Sequence, residues 1–98
     1  MGKFVLAYRG GGAPSTPEEA AAVMAAWGAW FESLGAAVVD AGAPFFGSMA
    51  VGGEVTANLS GYSILEAASL NDAAALAAGC PILTDGGTIE VYEAHQMG

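Results

Sequence analysis

The chain has 98 residues, which allows a single domain over residues 1–98 with a modest hydrophobic core. Hydrophobic residues make up 54% of it, only Lys3 and Arg9 are basic, and ten acidic residues bring the formal net charge to −8. Because nucleic acids and anionic membrane surfaces are bound through Lys and Arg side chains, this composition excludes both as expected partners.

A strand and the start of a helix are the first predicted elements. Residues 3–9 are compact, apolar and partly aromatic, which is typical of a buried strand, and a run of three glycines ends them. Thr16 precedes Pro17 and stands three residues before Glu19, which is the pattern of a capping box with proline at the first helical position. The sequence therefore predicts a strand over 3–9 and a helix that begins at Pro17.

The apolar residues of this first helix share one face. They follow one another at offsets of four, three and four residues, and a glycine at position 35 favours a helix end. We therefore expect a helix over 17–34 that packs on the sheet through Val23, Trp27, Trp30 and Leu34.

The middle of the chain is predicted to hold two strands with a hairpin between them. Residues 36–40 form a short apolar run, and residues 61–66 are typical of a core strand. Between them, two adjacent glycines at 52–53 separate the short alternating runs 48–51 and 54–57. Adjacent glycines favour a tight hairpin turn, so we expect an inserted hairpin here.

A second helix and a last strand complete the predicted elements. Ser69 stands three residues before Asp72 at the start of an apolar stripe, which predicts a helix over about 70–78. Residues 88–93 alternate between polar and apolar side chains and predict a strand. The resulting order predicts an α+β protein with a ferredoxin-like βαββαβ fold, a four-stranded antiparallel sheet and the inserted hairpin.

Two helices can cover only one face of such a sheet. The first strand is nevertheless apolar on both sides, with Phe4, Leu6 and Tyr8 on one and Val5 and Ala7 on the other. An uncovered apolar face normally marks an interface. We therefore expect a homodimer in which the two open sheet faces pack together as a dimeric α+β barrel.

Several segments follow one another in a recognisable pattern. They are the strand Gly61–Glu66, the helix that begins at Leu70, the pair Cys80-Pro81 and the closing run Gly87–Val91, together with the opening strand and the Pro17-Glu18-Glu19 helix start. The pattern resembles the YCII-related (DGPF-type) family of small dimeric α+β-barrel proteins. The resemblance covers most of the chain and implies the same fold and a homodimer.

Two features of that family are missing from this chain. Its Asp-Gly-Pro-Phe segment is expected just before the Gly-Tyr strand, where Glu54–Leu59 stands instead. The first helix also has no histidine, so the family's acid–base pair of a His and an Asp has no residue here. The resemblance therefore implies a YCII-related-like domain that binds a small molecule or has no catalytic activity, without a cofactor.

A second hypothesis is a small lyase-type or isomerase-type enzyme that acts on a carboxylated metabolite. Arg9 ends the first strand beside the glycine loop and could bind a small anion; the alternative is a solvated or salt-bridged arginine. Asp40 ends the second strand and could move a proton as the catalytic base. Tyr8, Trp27 and Phe45 would shape the ligand pocket, or else pack in the core.

Two further residues are weighed for reactive chemistry. His95 is the chain's one histidine, and a metal site would need further ligands, so we expect an exposed side chain and no metal. Cys80 is the one cysteine and has no recognisable basic partner, so we expect a packing residue. One cysteine forms no internal disulfide, which favours a reducing compartment and a cytoplasmic protein.

Overall fold

The computed structural model describes residues 1–12, 14–55 and 58–95. These residues form strands and helices in the order β1 (Gly2–Arg9), α1 (Pro17–Leu34), β2 (Val38–Pro44), β3 (Leu59–Ala67), α2 (Leu70–Ala77) and β4 (Thr88–Ala94). A short 3-10 helix follows each α-helix, at Gly35–Ala37 and at Pro81–Asp85. Neither α-helix in the described part of the chain is long and apolar enough to cross a membrane.

The four strands form one antiparallel sheet in the order β2-β3-β1-β4. This arrangement confirms the predicted α+β class and the ferredoxin-like topology. β1 is central and pairs with β3 on one side and with β4 on the other, so that Leu6 lies opposite both Ser63 and Val91. β2 forms the edge of the sheet beside β3, and its irregular pairing there shapes the site described below.

The start of α1 has the predicted cap. The Thr16 hydroxyl accepts the backbone N–H of Glu19 at 3.1 Å, and the Glu19 carboxylate accepts the backbone N–H of Ser15 at 2.8 Å. The bonds that the Ser15 N–H and the Ser15 hydroxyl donate to this carboxylate lower the pKa of Glu19. The helix bounds Pro17–Leu34 agree with the prediction, and α2 ends at Ala77, one residue before the predicted end.

The core lies on the face of the sheet that both helices cover. Two clusters form it, and the polar Ser63 is fully buried beside them. Their buried members are Phe4, Leu6, Tyr8, Trp30, Leu65, Ala67, Ala73, Ala77, Cys80 and Ile82. Cys80 is therefore a core residue, as the sequence predicted.

The opposite face of the sheet carries an apolar row. Val5 lies between Ile64 on β3 and Tyr92 on β4, and Asp40 of β2 ends the row beyond Ile64. The Tyr92 side chain is 54% exposed. Neither core cluster includes these residues, so the two-sided apolar character of β1 expected from its sequence is present in the structure.

The limits predicted for the second strand were wrong, and the structure has no strand at the described positions of the predicted hairpin that precede β3. The second strand was expected over 36–40, but Gly35–Ala37 form a 3-10 turn and β2 begins at Val38. Residues 45–55 form no strand, while positions 56 and 57 of the expected hairpin lie outside the described residues. A short hairpin that packs on nothing is marginally stable, and Phe46 and Val51 of this segment are each 97% exposed.

Candidate functional site

A cavity of about 510 Å³ opens on the helix-covered face of the sheet, between α1 and the β2–β3 edge. Side chains of α1 form one wall, and the bulged end of β2 with the start of β3 forms the other. The lining residues include Tyr8, Val23, Met24, Trp27, Phe31 and Ile82, together with residues 41–44 and 60–63. Most of this surface is apolar, which is typical of a pocket for a small organic molecule.

Aromatic rings form the α1 wall of the cavity. The Trp27 ring packs edge-on against Tyr8 with 5.2 Å between ring centroids, and Phe31 lies 5.9 Å from Trp27. Trp30 is buried in the core instead, where its indole N–H donates to the carbonyl of Leu76 at 3.2 Å. The two tryptophans of one helix face therefore have different roles, since only Trp27 lines the cavity.

A chain of hydrogen bonds forms the polar side of the cavity. The Tyr8 hydroxyl donates to the Ser63 Oγ at 2.7 Å, and the Ser63 hydroxyl donates to the carbonyl of Ala41 at 2.8 Å. Burial raises the pKa of the Tyr8 phenol and that of the neighbouring Cys80 thiol. Both groups are therefore neutral at physiological pH, and the chain carries no charge into the cavity.

A bulge in β2 brings the Ala41 carbonyl to this chain. Pairing with β3 is irregular between Asp40 and Ala43, and Gly42 adopts a left-handed φ of 80°. The Asp40 carboxylate accepts the backbone N–H of Gly42 at 2.8 Å and stabilises the bulge. Its second oxygen accepts the Tyr62 hydroxyl at 3.4 Å. Asp40 is exposed and supports the cavity wall without lining the cavity.

The structure brings only part of the expected pocket together. Tyr8 and Trp27 line the cavity, but Arg9 does not. The Arg9 guanidinium lies 3.9 Å from the Glu90 carboxylate, and both side chains are about two-fifths exposed. Glu90 pairs with Ala7 on the open face, so Arg9 and the cavity lie on opposite sides of the sheet. None of the described residues that line the cavity is charged.

Phe45 lies in a different place from Tyr8 and Trp27. Its ring stacks on Tyr62 with 5.7 Å between centroids and 19° between planes. It lines a second hollow of about 490 Å³, formed largely by the exposed segment that follows β2 and by Leu59. The first cavity therefore lacks one of the aromatic residues expected in its wall.

Two serines of the cavity were absent from the candidates predicted by sequence. Ser63 had a recognisable signal, because it is a polar residue at a core-facing position of an apolar strand, two residues before the buried Leu65. Ser60 had none, because a local irregularity of β3 decides where it lies. Irregular pairing of this kind depends on the partner strand and cannot be read from spacing.

Metal binding has no support within residues 1–12, 14–55 and 58–95. Among these residues, no group of three or more His, Cys, Asp or Glu side chains lies close enough together to hold a metal ion. His95 follows β4 and is exposed, as expected from its position in the sequence.

Comparisons with known proteins agree with this architecture. The sequence model of the YCII-related domain family matches residues 3–97. Among solved structures, the chain is similar to 5-chloro-2-hydroxyhydroquinone dehydrochlorinase from Burkholderia phenoliruptrix AC1100, in complex with 2,5-dihydroxybenzoquinone. The TM-score is 0.61 at 20% sequence identity, and the match covers 98% of this chain and 95% of the other. Such identity shows a common fold. No curated protein matches the sequence.

Proposed function

Since the chain belongs to the YCII-related domain family, we propose that it is a small-molecule-binding domain whose cavity takes a neutral aromatic molecule. The observation that supports this proposal is the 510 Å³ cavity with aromatic side chains on one wall and hydrogen-bonding groups on the other. Its volume lies within the range of about 300–1,000 Å³ that is usual for small-ligand sites.

The neutral character of the ligand follows from the lining. None of the described lining residues carries a charge, and the Tyr8 phenol is held in its neutral form. A ligand carboxylate moved from water into this apolar space would lose its hydration without gaining a cationic partner. An uncharged ring loses little hydration and gains contacts with Trp27 and Phe31.

The comparison with the dehydrochlorinase supports a ring-shaped ligand. That protein has the same fold and was found with 2,5-dihydroxybenzoquinone, a six-membered ring that carries two hydroxyl groups. A ring of that size is small relative to a cavity of about 510 Å³.

The enzyme hypothesis has weaker support than binding. It required Arg9 to hold a carboxylate and Asp40 to act as a base at one pocket. Arg9 instead lies across the sheet beside Glu90, and Asp40 is occupied by the Gly42 N–H outside the cavity. For the same reason, the support for an anionic metabolite as the ligand is weaker than that for a neutral ring.

A chemical-shift titration of the ¹⁵N-labelled protein tests the binding function. Toluene is the neutral probe, and benzoate is an anion of similar shape. We expect toluene to shift the Trp27 indole signal saturably and benzoate to leave it unchanged. Val23→Phe fills the cavity and abolishes the toluene shift, while Val39→Phe, at an exposed position outside the cavity, retains it. Absence of a shift in the wild type with both toluene and 4-methylphenol overturns the proposal, and equal binding of benzoate overturns the conclusion that the ligand is neutral.

We also propose that a second copy of the chain covers the open face of the sheet. The apolar row of Val5, Ile64 and Tyr92 supports this assembly, because water otherwise contacts an apolar surface at the middle of the sheet. The exposed Phe46 and Val51 add further apolar surface to the same chain. The oligomeric state in solution is the test, and it is developed below.

A cytoplasmic location is a further part of the proposal. Cys80 is buried and free, so the described residues contain no disulfide that an oxidising compartment would favour. Fractionation of cells that produce the tagged protein tests this location. Recovery in a secreted or membrane fraction contradicts it.

A further inference from the structure

Ser60 lies at a bulge in β3. Tyr8 pairs with Gly61 and Arg9 pairs with Leu59, so Ser60 is one extra residue between two consecutive pairs. Ser60 is among the residues that line the cavity on the helix-covered side. Its carbonyl accepts the backbone N–H of Phe45 at 2.9 Å, which anchors the bulged backbone. The bulge thus lies in the cavity wall and carries a serine there.

The hydroxyl of Ser60 is buried without a hydrogen-bond partner among the described residues. The other three lining residues that carry a hydroxyl group all donate it to an acceptor: Tyr8 to Ser63, Ser63 to Ala41, and Tyr62 to Asp40. A buried hydroxyl without a partner is costly, and native proteins rarely leave one. A molecule in the cavity that offered an oxygen atom to Ser60 would remove this cost.

We propose that Ser60 is a specificity-determining residue of the cavity and that it selects aromatic rings carrying a hydroxyl group over apolar rings of the same shape. This inference rests on the proposed binding function and defines its ligand class as phenols. A phenolic hydroxyl suits this position because it both donates and accepts a hydrogen bond, as the serine hydroxyl does. The Ser60 Oγ is buried within the cavity wall, and rotation about χ1 to another staggered position would present it to a ligand.

A matched pair of probes tests the inference. 4-Methylphenol and 1,4-dimethylbenzene have nearly the same shape and differ by a hydroxyl in place of a methyl group. The dimethylbenzene leaves water more readily, so preference for the phenol requires a hydrogen bond in the cavity. We expect the wild type to bind the phenol about tenfold more tightly in a chemical-shift titration. We expect Ser60→Ala to bring the two affinities within about twofold by losing affinity for the phenol alone.

Ser48→Ala is the control variant, because Ser48 is exposed and does not line this cavity. It should keep the wild-type preference. Equal binding of the two probes by the wild type, or a preference that survives in Ser60→Ala, overturns the role of Ser60 while cavity binding stands. If neither probe binds, the proposed function itself fails. The comparison of the two probes on the wild type needs no variant. It therefore tests the inference even if Ser60→Ala fails to fold.

Discussion

The Tyr8 hydroxyl donates to Ser63 Oγ at 2.7 Å and thereby joins β1 to β3 inside the core. Ser63 passes the connection on to β2 through the carbonyl of Ala41 at 2.8 Å. Three strands are therefore linked by side-chain hydrogen bonds in a region that is otherwise apolar. The same chain forms the polar side of the cavity, so stability and the proposed binding site share these residues.

Ser63→Ala should be more destabilising than Tyr8→Phe. Loss of the serine leaves both the buried Tyr8 hydroxyl and the Ala41 carbonyl without their partner, and should lower the free energy of unfolding by about 2–3 kcal/mol. Tyr8→Phe leaves the Ser63–Ala41 bond intact and should cost about 1 kcal/mol. Urea denaturation measures both. Ser48→Ala, at an exposed position, is the control with an expected effect below about 0.5 kcal/mol. The reverse order of Ser63→Ala and Tyr8→Phe would contradict the hydrogen-bond chain.

Gly42→Ala should disrupt the bulge of β2. The left-handed φ of 80° is strained for alanine, and an added Cβ would collide with the backbone carbonyl of Tyr62. We expect a loss of about 3 kcal/mol or more in unfolding free energy, measured by urea denaturation. Gly52→Ala is the matched control, because Gly52 has a φ of 79° but open space around it, and should cost about 1 kcal/mol. Equal losses for the two variants would refute the close approach to Tyr62.

Stability should decline at alkaline pH. Burial raises the pKa values of Tyr8 and Cys80 above those of the unfolded chain. The unfolded chain therefore loses these protons first, at about pH 8.5 for a thiol and about pH 10 for a phenol. The stabilisation is fully present below those values and declines as pH rises above them, by at most about 1.4 kcal/mol per pH unit for each group.

Urea denaturation at several pH values checks this decline, with Tyr8→Phe and Cys80→Ala as variants. Tyr8→Phe should reduce the loss of unfolding free energy above about pH 10. Cys80→Ala should reduce the loss that begins at about pH 8.5. If the unfolding free energy of both variants declines with pH as it does in the wild type, groups other than Tyr8 and Cys80 cause the decline.

Ile64→Glu should convert the proposed dimer to monomer. Ile64 lies opposite Val5 in the apolar row of the open face, and a carboxylate there would be desolvated by the second copy. Light scattering should give twice the chain mass of 9.7 kDa for the wild type and the single mass for the variant. Leu83→Glu is the control, because Leu83 is an exposed apolar residue of the 3-10 helix that packs with α1. A monomeric wild type at micromolar concentration would overturn the dimer.

Local sequence signals were sufficient for most of the fold. The capping pattern at Thr16 and the glycine after Leu34 fixed the bounds of α1, because helix ends are decided by hydrogen bonds within a few residues. The second strand and the hairpin were misplaced for the opposite reason. Strand limits depend on a pairing partner, and the adjacent glycines at 52–53 adopt positive φ angles without holding two strands together in the described residues.

Composition and periodicity by themselves determined the α+β class, the helix that carries Trp27 and Trp30, and the absence of charge suited to nucleic acid. They also pointed to Tyr8 and Trp27 as pocket residues. Only the tertiary structure decided that Arg9 faces away from the cavity, that Asp40 supports a bulge, and that Ser60 reaches the cavity wall. The physical reason is the register of the strands. Each irregularity in pairing changes which face of the sheet the following side chains lie on. Because the paired residues are far apart in sequence, local sequence patterns do not predict where such an irregularity falls.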